Sequence, residues 1–94
     1  GAVYSENSSL MLSNASITYN RSGSEGGGIY VLSDTTMLWN VTLSSNVASN
    51  GSGIYMRSST LSPLNSTVAS NAGLYGIGMY TSTLNMSSSI VANN

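Results

Sequence analysis

The tetrad Gly27-Gly28-Ile29-Tyr30 returns as Ser52-Gly53-Ile54-Tyr55 and once more as Ile77-Gly78-Met79-Tyr80, 25 residues apart each time. The chain opens on the same pattern, Gly1-Ala2-Val3-Tyr4, 26 residues before the first of these. Other columns keep the offset. Asn20, Asn46 and Asn71 are matched, after a two-residue deletion, by Asn94. Asn14, Asn40 and Asn65 align with Ser88, and Ile17, Leu43 and Val68 align with Val91. A looser column runs through Leu10, Thr36, Leu61 and Leu84. Self-similarity at a fixed period of roughly 20–50 residues is the signature of a repeat fold. The extra residue of the first unit falls between Asn20 and Gly28, where Arg21, Gly23 and Glu25 indicate a bulged surface loop.

Helical repeats need long runs of good helix formers at a 3.6-residue period. These units alternate on a period of two and are rich in Ser, Thr, Asn and Gly, which is the pattern of short strands. The spacing of a leucine-rich repeat is absent. Ile29 and Val31 share one face of a strand and Tyr30 and Leu32 the other. The Leu32 column reads Glu6, Leu32, Arg57, Ser82, so that face is the wet one. Leu10 and Leu12 have even parity and Ala15 and Ile17 odd, which puts a corner near Ser13–Asn14. Asn20 marks a second corner and the Gly-rich stretch a third, because Asn and Gly tolerate left-handed backbone. The expectation is an all-β chain: a right-handed parallel β-helix of about four coils with Ile29, Leu43, Ile54 and Val68 inside. Residues 1–94 form one segment, with coils at about 1–26, 27–51, 52–76 and 77–94, expected to belong to a longer solenoid or fibre.

Composition excludes several functions. Ser, Asn, Gly and Thr supply 50 of the 94 residues. Charged residues make up 5%, namely Glu6, Glu25, Asp34, Arg21 and Arg57, and two arginines cannot build a nucleic-acid or membrane-surface patch. With neither Cys nor His, disulfides, thiol chemistry, zinc sites and imidazole catalysis are excluded. A hydrophobic share of 40% is too high for a disordered linker. No apolar run approaches the roughly 18 residues of a membrane span. The chain has no initiator Met, which suggests a processed product or a piece of something longer.

Each Gly-Ile tetrad is followed by an aliphatic-x-x-Asn motif: Ile17-Thr18-Tyr19-Asn20, Leu43-Ser44-Ser45-Asn46, Val68-Ala69-Ser70-Asn71 and Val91-Ala92-Asn93-Asn94. Over the whole chain this pairing resembles the repeats of the polymorphic outer-membrane protein family. That family combines Gly-Gly-Ala-Ile/Leu/Val with Phe-x-x-Asn; here an aliphatic stands wherever the family has Phe. The resemblance implies a pectin-lyase-like, right-handed β-helix. A fold that hosts lyases, adhesins and structural spikes alike does not by itself assign a function.

Stacked coils rise by about 4.8 Å, so each column becomes a ladder. The Asn20, Asn46, Asn71, Asn94 column is read as structural, satisfying backbone groups at a corner. Tyr4, Tyr30, Tyr55 and Tyr80 form an outward stripe, read as a stability ladder or as a platform for sugars or a neighbouring chain. Trp39 and Tyr19 are single outward aromatics that could extend it. Catalysis on this fold needs clustered carboxylates, often with calcium and a basic partner. Glu6 and Asp34 could approach each other on adjacent coils, but two acids with no third ligand make a poor site. Arg57 beside Asp34 and Arg21 beside Glu25 read as exposed ion pairs. Ice binding would need Thr-x-Thr ladders, and only Thr81-Ser82-Thr83 fits. No enzyme, cofactor or metal is expected.

Seven Asn residues head an Asn-x-Ser/Thr sequon: Asn7, Asn14, Asn20, Asn40, Asn50, Asn65 and Asn85. The Asn14, Asn40, Asn65 column keeps the sequon throughout, whereas Asn46 and Asn71 lack it. Attached glycans would keep a near-neutral surface wet. The reading is an extracellular or cell-surface structural or adhesive module, glycosylated and assembling end to end, without nucleic-acid partners or a membrane span. The alternative is the carbohydrate-binding part of a β-helical, polysaccharide-active enzyme.

Overall fold

The computed structural model describes residues 1–92 and 94, so Asn93 of the last repeat motif lies outside the described residues. Its strands in chain order are β1 (Val3–Glu6), β2 (Ser9–Thr18), β3 (Ile29–Leu32), β4 (Thr35–Ser44), β5 (Ile54–Arg57), β6 (Thr60–Leu64), β7 (Thr67–Ala69), β8 (Ile77–Tyr80), β9 (Thr83–Leu84) and β10 (Ile90–Ala92). Every pairing between them is parallel and joins one coil to the next. The sheet β1-β3-β5-β8 forms the first wall. The long strands β2 and β4 bend at Asn14 and Asn40 and so serve two walls; the later coils divide that span into β6 with β7, and β9 with β10. The result is a parallel β-helix of about four coils with a period of about 25 residues.

The corners follow from local backbone preference. Asn14, Asn40, Asn65 and Ser88 are left-handed, with φ between 46° and 54°. The next corner turns at Tyr19, Ser45 and Ser70, one residue before the Asn20 column, and Gly26 and Gly51 turn the connecting arms. A further corner, which the sequence does not signal, runs through Asn7, Ser33, Ser58 and Thr81 at φ 49–52°. A side chain other than Gly or Asn pays about 1–2 kcal/mol for such a conformation, so these turns are sustained by the ladders on either side of them.

Inside, Ile29, Leu43 and Ile54 are fully buried and Val68 almost so, as their parity requires. Polar ladders seal the edges of this core. Asn20 donates its backbone N–H and its side-chain amide to Oδ1 of Asn46, at 3.0 and 3.1 Å. Asn46 does the same to Asn71, and Asn71 to Asn94, at 2.9–3.0 Å. The Nδ2 groups of Asn46, Asn71 and Asn94 also reach back to the carbonyls of Ile17, Leu43 and Val68. Serines repeat the device at the other two corners. Ser59 Oγ accepts the Asp34 N–H at 3.0 Å, and Ser66 Oγ accepts the Val41 N–H at 3.1 Å. Each then donates to the carbonyl two residues back.

The register corrects two columns. Val47 bridges both Arg21 and Ala72, and Asn50 bridges Glu25, so the extra residue of the first unit does lie in its arm, between Arg21 and Glu25. The two-residue deletion, however, falls in the third arm, between Asn71 and Gly76, before β8. Tyr55 therefore pairs with Gly78, and Tyr80 with Arg57. Tyr80 leaves the tyrosine row and takes the place that a constant 25-residue spacing gives to Ser82. Ser82 instead continues the Ser8, Asp34, Ser59 ladder.

Candidate functional site

Two tyrosine contacts remain on the first wall. Tyr4 stacks on Tyr30 with ring centres 5.3 Å apart and a 20° tilt, and Tyr30 meets Tyr55 at 5.2 Å. Exposure falls along the row, from 62% at Tyr4 to 8% at Tyr55, so only its first end can meet a ligand. The Tyr4 hydroxyl donates to Glu6 at 3.1 Å, and that bond, ahead of burial, raises the phenol above its ordinary value of 10.0. Tyr55 is raised as well, by burial first and the Glu25 carboxylate next. Arg57 lies over the Tyr80 ring at 5.2 Å, not against Asp34.

Asp34 is 5% exposed. One carboxylate oxygen accepts the Ser8 N–H, the place a serine hydroxyl fills elsewhere in the column, and the other is buried without a partner. Glu6 is taken by Tyr4 on the outer face, and Glu25 sits in the first arm. Among the described residues no group of three acidic side chains stands close enough to hold a metal ion.

The sequons separate by geometry. Asn7, Asn14, Asn40, Asn65 and Asn85 are exposed, and the first four stand at left-handed corners. Asn40 Nδ2 donates to Asn14 Oδ1 at 2.8 Å, so their side chains lie along the stack. Asn20 is different: its Nδ2 donates to both Thr18 O and Asn46 Oδ1, leaving no hydrogen free for a sugar linkage. Asn50 is half-buried, with its side-chain carbonyl oxygen enclosed and unpartnered.

Two apolar surfaces were not legible as such in the sequence. On the second wall, Met11, Met37, Trp39 and Leu64 are 61, 46, 50 and 38% exposed. They alternate with inward residues such as Leu38 and lie in adjacent columns, beside the outer row Ser9, Thr35, Thr60, Thr83. The other surface is the fourth coil, which closes no core beneath it. Ile77, Met79, Leu84, Met86 and Val91 border a hollow there, with Tyr75 at the rim. Ile54, Met56, Leu61 and Val68, which pair with Ile77, Met79, Leu84 and Val91 from the third coil, are buried.

No helix among the described residues is long and apolar enough to cross a membrane. No protein-family description, no curated protein and no solved structure matches this chain.

Proposed function

We propose that this chain is a non-enzymatic structural or adhesive module, extracellular or on a cell surface, that assembles end to end into a fibre or a longer solenoid. The observation that carries the reading is the open fourth coil: the inward row that is buried in the second and third coils is here presented to solvent. Ladder chemistry supports a polarity. Each Asn and Ser ladder runs from a donor in one coil to an acceptor in the next. The backbone N–H groups of Asn94 and Ser82 thus point off the fourth coil, and Asn20 Oδ1 and Ser8 Oγ point off the first. One copy's first coil can continue another's last, extending both ladders; the Ser66–Ser89 ladder would end on Ala15, which has no acceptor. Such a head-to-tail contact does not close on itself and grows into a filament. The likeness of the repeats to polymorphic outer-membrane proteins and the five exposed sequons support the cell-surface placement and a glycan coat.

Sedimentation tests this. The unmodified chain should grow with concentration. Ser5→Glu, which blocks the first coil, and Met86→Glu, which blocks the fourth, should each be folded monomers, and their equimolar mixture should form a dimer. A wild-type chain that is monomeric and melts cooperatively overturns the assembly. A single variant that dimerises alone overturns the polarity.

A further inference from the structure

We infer that the apolar patch around Trp39 is a docking surface for the chain's own oligosaccharide, the one attached at Asn40; the inference rests on the glycosylation proposed above. Trp39 immediately precedes Asn40, and the Asn14–Asn40–Asn65 corner divides two walls of different character. On the far side, the outer column nearest the corner bears hydroxyls in the first three coils, at Ser16, Thr42 and Thr67, and Ile90 in the fourth. On the near side it is Ser13, Trp39, Leu64, with Met11 and Met37 beyond. Beside Asn40 itself only the near side offers apolar area, since Ile90 on the far side stands two coils away, and a solvated patch of this kind calls for an occupant.

Charge and tether select that occupant. No charged side chain stands among the outer residues of the second wall, Ser9 to Ser13, Thr35 to Trp39 and Thr60 to Leu64, so nothing there favours an ionic partner. A pyranose ring is neutral, with one face of C–H groups and a rim of hydroxyls. Its C–H face meets the negative π-face of an indole favourably, while its rim of hydroxyls stays in water. The Asn40 side chain aims the linkage correctly. Its Nδ2 lies toward Asn14 in the coil above, and the Nδ2 of a glycosylated Asn keeps one hydrogen for the Asn14 Oδ1 bond. The first sugar then emerges between the first two coils, where Met11, Met37 and Trp39 lie. Glycans on neighbouring coils would stand about 4.8 Å apart and crowd each other, so Asn40, next to the indole, is the site with the most to gain.

Trp39 is the only tryptophan, which makes its fluorescence a site-specific probe. Acrylamide quenching is compared between the glycosylated chain and Thr42→Ala, which removes the Asn40 sequon without touching Asn40 or Trp39. Thr67→Ala, which removes the Asn65 sequon, is the control. Covering a half-exposed indole should lower the quenching constant of the glycosylated chain by about twofold relative to Thr42→Ala, and Thr67→Ala should match the glycosylated chain. Glycopeptide mass spectrometry on the same samples separates the failures. Equal quenching with Asn40 occupied overturns the docking alone, and an empty Asn40 overturns the glycosylation on which it rests. Shielding that appears only as protein concentration rises assigns the patch to a second copy and overturns the inference.

Discussion

A β-carbon on Gly53 would stand 3.0 Å from Nδ2 of Asn71 and 2.6 Å from Cγ1 of Val68. Gly28 has the same relation to Asn46 and Leu43, at 3.3 and 3.0 Å. The two recurring sequence motifs, Gly-Ile and aliphatic-x-x-Asn, are therefore two sides of one contact across the interior of the second and third coils. Glycine is required there because the Asn side chain must pass close to the backbone to reach its carbonyl.

Glycine substitutions should split accordingly. Gly53→Ala would also press on Gly76 O at 2.9 Å, and overpacking of this kind costs about 1–3 kcal/mol. A β-carbon on Gly23 would meet nothing within 4 Å, and the backbone there has no left-handed φ. Gly23→Ala should gain about 0.4–1 kcal/mol by restricting the unfolded chain. Urea titration of the two variants side by side reads the contrast directly.

The Asn ladder predicts a gradient from its middle to its end. Asn71→Ala removes the acceptor for two Asn46 donors and the donor to Leu43 O, all in the core. Unmet buried groups cost about 1–3 kcal/mol each, so a loss of about 3–4 kcal/mol is expected. Asn20→Ala deletes only two Nδ2 bonds at the half-buried start of the column and leaves the backbone bond to Asn46 in place. It should cost about 1 kcal/mol. Equal losses at both positions would mean the ladder does not act as a stack.

What can be read from the sequence, and what cannot, divides along these same contacts. The 25-residue period is legible because Asn20, Asn46 and Asn71 need the identical side chain to pass a hydrogen bond from coil to coil. The corner at Asn14, Asn40 and Asn65 is legible because Asn favours left-handed backbone. The corner at Asn7, Ser33, Ser58 and Thr81 is not, since serine carries no such signal and the ladder, not the residue, holds the turn. Tyr80 is misplaced by the repeat because letters align at 25 residues while strand register is set from Gly76, after a shortened arm. Asp34 looks like a surface charge; its role as an acceptor for the Ser8 N–H depends on a partner 26 residues away. The Trp39 patch needs the alignment of two bent strands before its members become neighbours.

Alkaline pH should weaken the fold through tyrosines. Tyr4 and Tyr55 hold their protons above the ordinary value of 10.0, so between that pH and their folded values the native state binds more protons than the unfolded one. Stability is then complete below about pH 10 and falls as pH rises further. Absorbance titration should show phenols ionising late, and Tyr4→Phe should delete one of them.

Thr36 offers the clearest route to a more stable chain. Its side chain is fully buried between Leu10 and Leu61 of the neighbouring coils, and its hydroxyl has no hydrogen-bond partner. An enclosed, unpaired hydroxyl costs about 1–3 kcal/mol of desolvation. Thr36→Val keeps the branched shape, removes the polar atom and should raise stability by about 1–2 kcal/mol. Ser66→Ala is the matched control. Its hydroxyl is buried too, but it accepts the Val41 N–H at 3.1 Å and donates to Leu64 O at 3.0 Å. Removing that hydroxyl should cost about 1–3 kcal/mol, because both partners are left unmet. The two variants delete one hydroxyl each from the same interior and should move the urea midpoint in opposite directions at an unchanged slope. A Thr36→Val midpoint at or below wild type would show that the hydroxyl finds a partner in solution.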